Sequence, residues 1–139
     1  MIDLLTRGVP VVKTVTGAAA ATTVDLQPTE GELWVVAWAQ GLHDDNGGSR
    51  VCGFQIHDGT TSVNVGPGVS IAYGITIPLY HTNPDGVAGK SGSDWGLPLV
   101  LNGKTHLTLV GVAIGAGKKL SINALVYVFK GTGAYAEPV

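Results

Sequence analysis

The stretch Leu120-Ser121-Ile122-Asn123-Ala124-Leu125-Val126-Tyr127-Val128-Phe129 decides the fold. Side chains of an extended chain alternate between two faces, so Leu120, Ile122, Ala124, Val126 and Val128 share one apolar face. A helix would scatter that set around its axis. The other face carries Ser121, Asn123, Leu125, Tyr127 and Phe129. It starts polar and ends aromatic, so one end of this strand should be wet and the other covered.

Working back from this strand, the chain repeats the same short grammar. Its 139 residues include 21 glycines and 7 prolines, which punctuate short apolar runs as in an all-β domain. Val9 to Val15 reads as one extended piece. Glu32 to Ala39 is apolar on both faces after Glu32, which predicts cover on both sides, with Trp34, Val36 and Trp38 on a shared face. Further strands are expected over Ser49–His57, Thr61–Val65, Ser70–Leu79, Leu97–Leu101 and Thr105–Ala113. Asn102-Gly103 predicts a type I′ hairpin turn, because both residues tolerate positive φ. Gly115 to Lys118 predicts a second hairpin, leading into the strand already described. The best helical candidate, Ile2 to Arg7, is at most two turns. About eight short strands with turns every ten residues or so predict a β-sandwich of the jelly-roll kind. The expected organisation is an N-terminal arm over residues 1–23, a sandwich over 24–131 and a short tail over 132–139.

Composition narrows the function. Charged residues make up 13% of the chain, against about 25% for an ordinary soluble domain. Gly59–Pro84 and Thr105–Gly117 contain no Asp, Glu, Lys or Arg. Such a surface should be shielded by other subunits. The eight Lys and Arg are scattered, which argues against nucleic acid, since phosphate contacts need clustered cations. Asp3, Arg7 and Pro10 break the first apolar run, so no signal peptide is read there, and no run reaches the ~18–20 apolar residues of a membrane helix. The single cysteine, Cys52, is expected as a small buried apolar residue.

One stretch concentrates reactive residue types. Gly41 to Gly59 holds His43, Asp44, Asp45, His57 and Asp58. Asp-Asp-Asn-Gly-Gly and His-Asp-Gly are also turn chemistry, because Asp and Asn bond nearby backbone and Gly takes left-handed φ. Hairpin ends therefore account for both clusters. The His-x-His pair of a cupin is absent, with no glutamate between Glu32 and Glu137. Asp44, Asp45 and Asn46 offer oxygens suited to calcium, without the alternating spacing of an EF-hand loop. His106 is expected as a half-exposed strand residue. No catalytic residue, metal site or cofactor is expected, and no G-x-S-x-G or phosphate-loop motif occurs. Trp34 and Trp38 are expected in the core or an interface. Trp95, in a loop, is the better exposed aromatic.

The segments Pro28–Trp34, His43-Asp44-Asp45, Leu97–Leu101 and Gly117–Phe129 resemble, in style and layout, the jelly-roll decoration (cement) proteins of tailed bacteriophages. That resemblance implies a non-enzymatic virion protein, a homotrimer on the outside of an icosahedral capsid, in contact with the major capsid protein and stabilising the shell by bridging capsomers. Neither nucleic acid nor membrane is expected as a partner, from the scattered cations and the short apolar runs. The resemblance also implies a capsid-contacting arm; deleting residues 1–20 is expected to leave the sandwich folded and to weaken capsid attachment. Leu4, Leu5, Arg7, Val9, Val11, Trp95, Tyr127 and Phe129 are the expected capsid or subunit contacts. The competing reading is a phage tail or baseplate domain that binds a host-surface glycan, with Trp95 and Tyr80 on a groove.

Overall fold

The computed structural model describes residues 8–65, 68–79 and 99–130. They form ten strands: β1 (Val9–Thr16), β2 (Thr23–Leu26), β3 (Glu32–His43), β4 (Arg50–His57), β5 (Ser62–Asn64), β6 (Val69–Ile71), β7 (Ile77–Pro78), β8 (Leu99–Leu101), β9 (His106–Gly111) and β10 (Leu120–Lys130). There is no helix among the described residues. The strands make two antiparallel sheets packed face to face, the expected β-sandwich. Sheet A runs β1-β10-β3, with β7 and β8 pairing different halves of β3; sheet B runs β2-β9-β4, with β5 and β6 pairing different halves of β4.

The pairing is nested. The first strand pairs with the last, β2 with β9, and β3 with β8, so the chain behaves as one long hairpin rolled upon itself. Rolling then brings β10 onto β3 and β9 onto β4. This overturns the two expected local hairpins. β8 lies in sheet A and β9 in sheet B, so Asn102-Gly103 carries the chain across the sandwich. Neither residue takes positive φ; instead Asn102 Oδ1 accepts from the backbone N–H groups of Lys104 (2.8 Å) and Thr105 (3.1 Å). The Gly115–Lys118 turn likewise joins β9 in sheet B to β10 in sheet A. The single strand expected over Ser70–Leu79 is also split. Gly74, at φ +78°, turns the chain between β6 in sheet B and β7 in sheet A, and Ile75 N–H donates to the Ala72 carbonyl (3.1 Å).

The described part of the expected arm, residues 8–23, is not an arm: it holds β1 and the first residue of β2. β1 pairs with β10 along its full length, from Val9↔Val128 to Thr16↔Ser121. Val11 and Val15 pack on the core, and between them Lys13 lays its ammonium 4.9 Å from the centre of the Trp34 ring. β-Branched residues in alternation favour this extended edge, and an edge strand tolerates Pro10. Truncation through this segment would strip an edge from sheet A, contrary to the expectation that the sandwich would be left intact.

The core lies between the sheets. As expected, Leu120, Ile122, Ala124, Val126 and Val128 all face it; Leu107, Leu109, Cys52 and Phe54 oppose them from sheet B. Cys52 is buried as expected, and burial pushes its thiol up to about 11, out of the range of a nucleophile at neutral pH. The register contains one irregularity: Leu125 opposes Trp38, whereas Val126 opposes Val36. Ala37 is therefore an extra residue, a β-bulge that reverses the phase of β3. Trp34 and Val36 face the core, but Trp38 does not share their face as expected; it points outward. After the bulge Ala39, Gly41 and His43 take the inward positions.

Candidate functional site

The residues of Gly41–Gly59 answer first. His43 is buried at the end of β3. Asp45 N–H donates to its Nδ1 (3.1 Å), so the ring proton sits on Nε2 and donates to the Ile71 carbonyl (2.8 Å). Asp44 Oδ1 accepts from Lys119 N–H (2.6 Å), and Asp44 N–H donates to the Lys119 carbonyl (3.1 Å). The buried Asp45 carboxylate accepts from Gly47 N–H (2.9 Å), Gly115 N–H (2.8 Å) and Arg50 Nε–H (2.9 Å). The Gly47 and Gly115 amides, followed by Arg50, hold its carboxyl down at about 2 against the opposing effect of burial. The cluster thus ties the β3–β4 turn to the β9–β10 turn. It is a brace, as the turn chemistry implied, in which both Asp45 oxygens are taken up by the Gly47 and Gly115 amides and the Arg50 guanidinium. Asp58 is a turn former too: its Oδ1 accepts from Thr60 N–H (2.9 Å) and Thr61 N–H (2.8 Å).

Two outer surfaces remain. The first is the outside of sheet A. Because Ala37 bulges, Val12, Leu125 and Trp38 stand side by side on β1, β10 and β3. They are 71%, 37% and 44% exposed. The flanking cross-strand rows are Thr14–Asn123–Gln40, Thr16–Ser121–Leu42 and Pro10–Tyr127–Val35, so this face carries no charge across three strands. Of the expected contact residues, Val9 is exposed on β1, Val11 packs inward and Tyr127 is half-buried. Phe129 is buried within the chain and presents no surface; the backbone at Gly8 lies so close that a Cβ there would come within 2.6 Å of its ring. Phe129 is covered, as expected for its end of the strand, but the face is not wettest at its polar start: Ser121 and Asn123 are half-buried and Leu125, in the middle, is the exposed residue. Leu4, Leu5, Arg7, Tyr80 and Trp95 lie outside the described residues.

The second is the outside of sheet B, where sequence reasoning missed a cluster. Asp25 on β2, His106 on β9 and His57 on β4 all alternate outward, away from Val24, Leu107 and Ile56. His57 and His106 are direct cross-strand partners, and Asp25 pairs with Thr108, two residues along β9. His57 Nε2 lies 3.4 Å from Asp25 Oδ1 and His106 Nδ1 lies 3.7 Å from Asp25 Oδ2. The two imidazoles are tilted by 58° with centroids 4.7 Å apart. Thr108 Oγ–H donates to Asp25 Oδ1 (2.6 Å) and fixes the carboxylate. Partial burial raises the Asp25 carboxyl, but the bond from Thr108, the bond from His57 and the nearby imidazoles outweigh it and leave it below the usual carboxylate range. Gly59 N–H donates to His57 Nδ1 (3.1 Å). His43 and His57, the two histidines of Gly41–Gly59, stand on different sheets, one facing in and one facing out. Set against protein-family models, curated proteins and solved structures, the chain matches none of them.

Proposed function

We propose that the chain is a structural virion subunit, a homotrimer of jelly-roll sandwiches that docks on the outside of an icosahedral phage capsid and stabilises it by bridging capsomers. The observation that carries this reading is the uncharged outer face of sheet A, with Val12, Leu125 and Trp38 exposed in one row. Charge depletion with an aromatic anchor is the signature of the central part of a protein–protein contact. A face of this kind costs solubility unless it is covered. The occupant proposed for it is a second copy of the chain, since a permanent subunit contact tolerates the fewest charges. The nested strand pairing, first with last and second with second-last, supports the jelly-roll assignment. Capsid binding needs contact area rather than chemistry, and a subunit that binds only the expanded shell stabilises that shell by its differential affinity.

Sedimentation velocity of the purified chain at tens of micromolar should give a trimer, and Trp38→Glu should shift it to monomer. A monodisperse wild-type monomer would remove the oligomer from the proposal. Labelled trimer added to expanded phage shells should appear at their outer surface by electron microscopy; shells left bare would remove the capsid.

A further inference from the structure

The geometry points to a divalent transition-metal site, of Zn²⁺ type, formed by Asp25, His57 and His106 on the outer face of sheet B. One ligand atom from each residue lies within 4.8 Å of the others. Tetrahedral zinc bonded at about 2.0–2.2 Å places its ligand atoms roughly 3.3–3.6 Å apart. His57 Nε2 lies 3.4 Å from Asp25 Oδ1 and His106 Nδ1 lies 3.7 Å from Asp25 Oδ2, so the carboxylate already faces both imidazoles, and a small turn of its plane with a slight closing of the rings brings one oxygen and both nitrogens to that spacing. Two imidazoles and one carboxylate form a donor set that suits zinc and its neighbours rather than calcium or magnesium.

Three features separate this cluster from an ordinary surface ion pair. His106 Nδ1 is buried and has no hydrogen-bond partner, and at 3.7 Å the Asp25 oxygen is beyond hydrogen-bonding range. A buried polar atom left unsatisfied calls for a missing water or ion. The ligands stand on three adjacent strands of a packed sheet, so their backbone spacing is preset. Asp25 has its orienting partner in Thr108, as ligating carboxylates do. Three protein ligands on a half-exposed face leave the fourth coordination position open to water or to a donor from a neighbouring chain. Loading has one cost: coordination through His57 Nε2 moves that ring's proton to Nδ1 and breaks the bond from Gly59 N–H.

The test is calorimetric titration of ZnCl₂ into the chelator-treated full-length protein, with Co²⁺ absorption as a second readout. One Zn²⁺ per chain and the intense visible bands of four-coordinate Co²⁺ are expected. His57→Ala and His106→Ala should each abolish both signals while leaving the circular dichroism of the sandwich unchanged. Thr108→Val, which keeps all three ligands, should weaken binding by about 10–100-fold. Absence of Zn²⁺ binding by the wild type would overturn the inference, as would binding that survives both histidine variants. Should either alanine variant unfold, His57→Gln and His106→Gln carry the same requirement.

Discussion

Substituting Gly41 by alanine tests the contact that holds the two sheets together. Gly41 lies on β3 directly opposite Ile122 and faces sheet B. A Cβ built there would meet Leu109 Cδ2 at 2.7 Å, Leu109 Cδ1 at 2.8 Å and Phe54 Cζ at 3.2 Å. The first two distances are closer than real Cβ atoms come, and Leu109 is fully buried, so its methyls can retreat only by displacing other core atoms. Overpacking of this kind costs about 1–3 kcal/mol. Alanine returns about 0.4–1 kcal/mol by restricting the unfolded chain, so the net loss should lie between about 0 and 2.6 kcal/mol, centred on ~1.3 kcal/mol. Leu109→Ala alone should cost about 2–5 kcal/mol through the cavity it leaves. In the double variant the new methyl grows into that cavity. The two losses should then fall short of their sum by about 1–2 kcal/mol, within the usual coupling of residues in contact. Urea denaturation at fixed protein concentration reads all four corners of the cycle. Strict additivity would mean that β3 and β9 do not pack as described.

The other expectations concern the turn brace and the edge strand. Asp45 is depressed in the fold to about 2 from an ordinary 3.8, so its contribution is present above pH ~4 and is lost as pH falls through about 2. Asp45→Asn should be less stable at pH 7 and should lose less stability than the wild type between pH 4 and 2; parallel urea midpoints across that range would refute the role given to Asp45. Deleting residues 1–16 should unfold or aggregate the protein, because it uncovers Val126 and Val128 and leaves β10 with an unpaired edge; a soluble product with an unchanged melting temperature would return this segment to an arm.

Alternation along β10 was plain in the sequence because every second residue is apolar and nothing interrupts it. β4 was legible for the same reason. What alternation cannot carry is the identity of the partner. β9 and β10 read as a hairpin because a short glycine turn joins them, yet the corner at Ala113 (φ +58°) and Gly117 (φ +75°) sends them to opposite sheets. β1 read as an arm because Val9 to Val15 has no strong turn after it and its partner is the last strand of the fold. The bulge at Ala37 was hidden in Glu32–Ala39, where apolar residues on both faces give no phase to lose. Once it is placed, Trp38 changes sides and the outer row of sheet A follows. The Asp25–His57–His106 cluster has no spacing signature, since Asp25 and His57 are 32 positions apart and come together only through the antiparallel pairing of β9 with β2 and β4. The one available hint was that a histidine ends one expected strand and another lies near the start of a second, which antiparallel neighbours would bring face to face.

The two outer faces ask different things of a partner. Sheet A offers an uncharged face with Trp38 exposed at its centre, which binds by excluding water and has little directional chemistry. Sheet B offers at one end His57, His106, Asp25 and Gln55, polar groups that bind by geometry, and at the other the apolar Val51 and Val110. Between them lies a core packed from both sides, with no described side chain belonging to both surfaces. Assembly and metal binding should therefore be separable. Trp38→Glu would change the sedimentation coefficient and leave the Zn²⁺ stoichiometry alone, while His106→Ala would do the reverse. If His106→Ala also dissolved the oligomer, the open coordination position would have to be filled by a neighbouring copy, and the subunit contact would lie on sheet B instead.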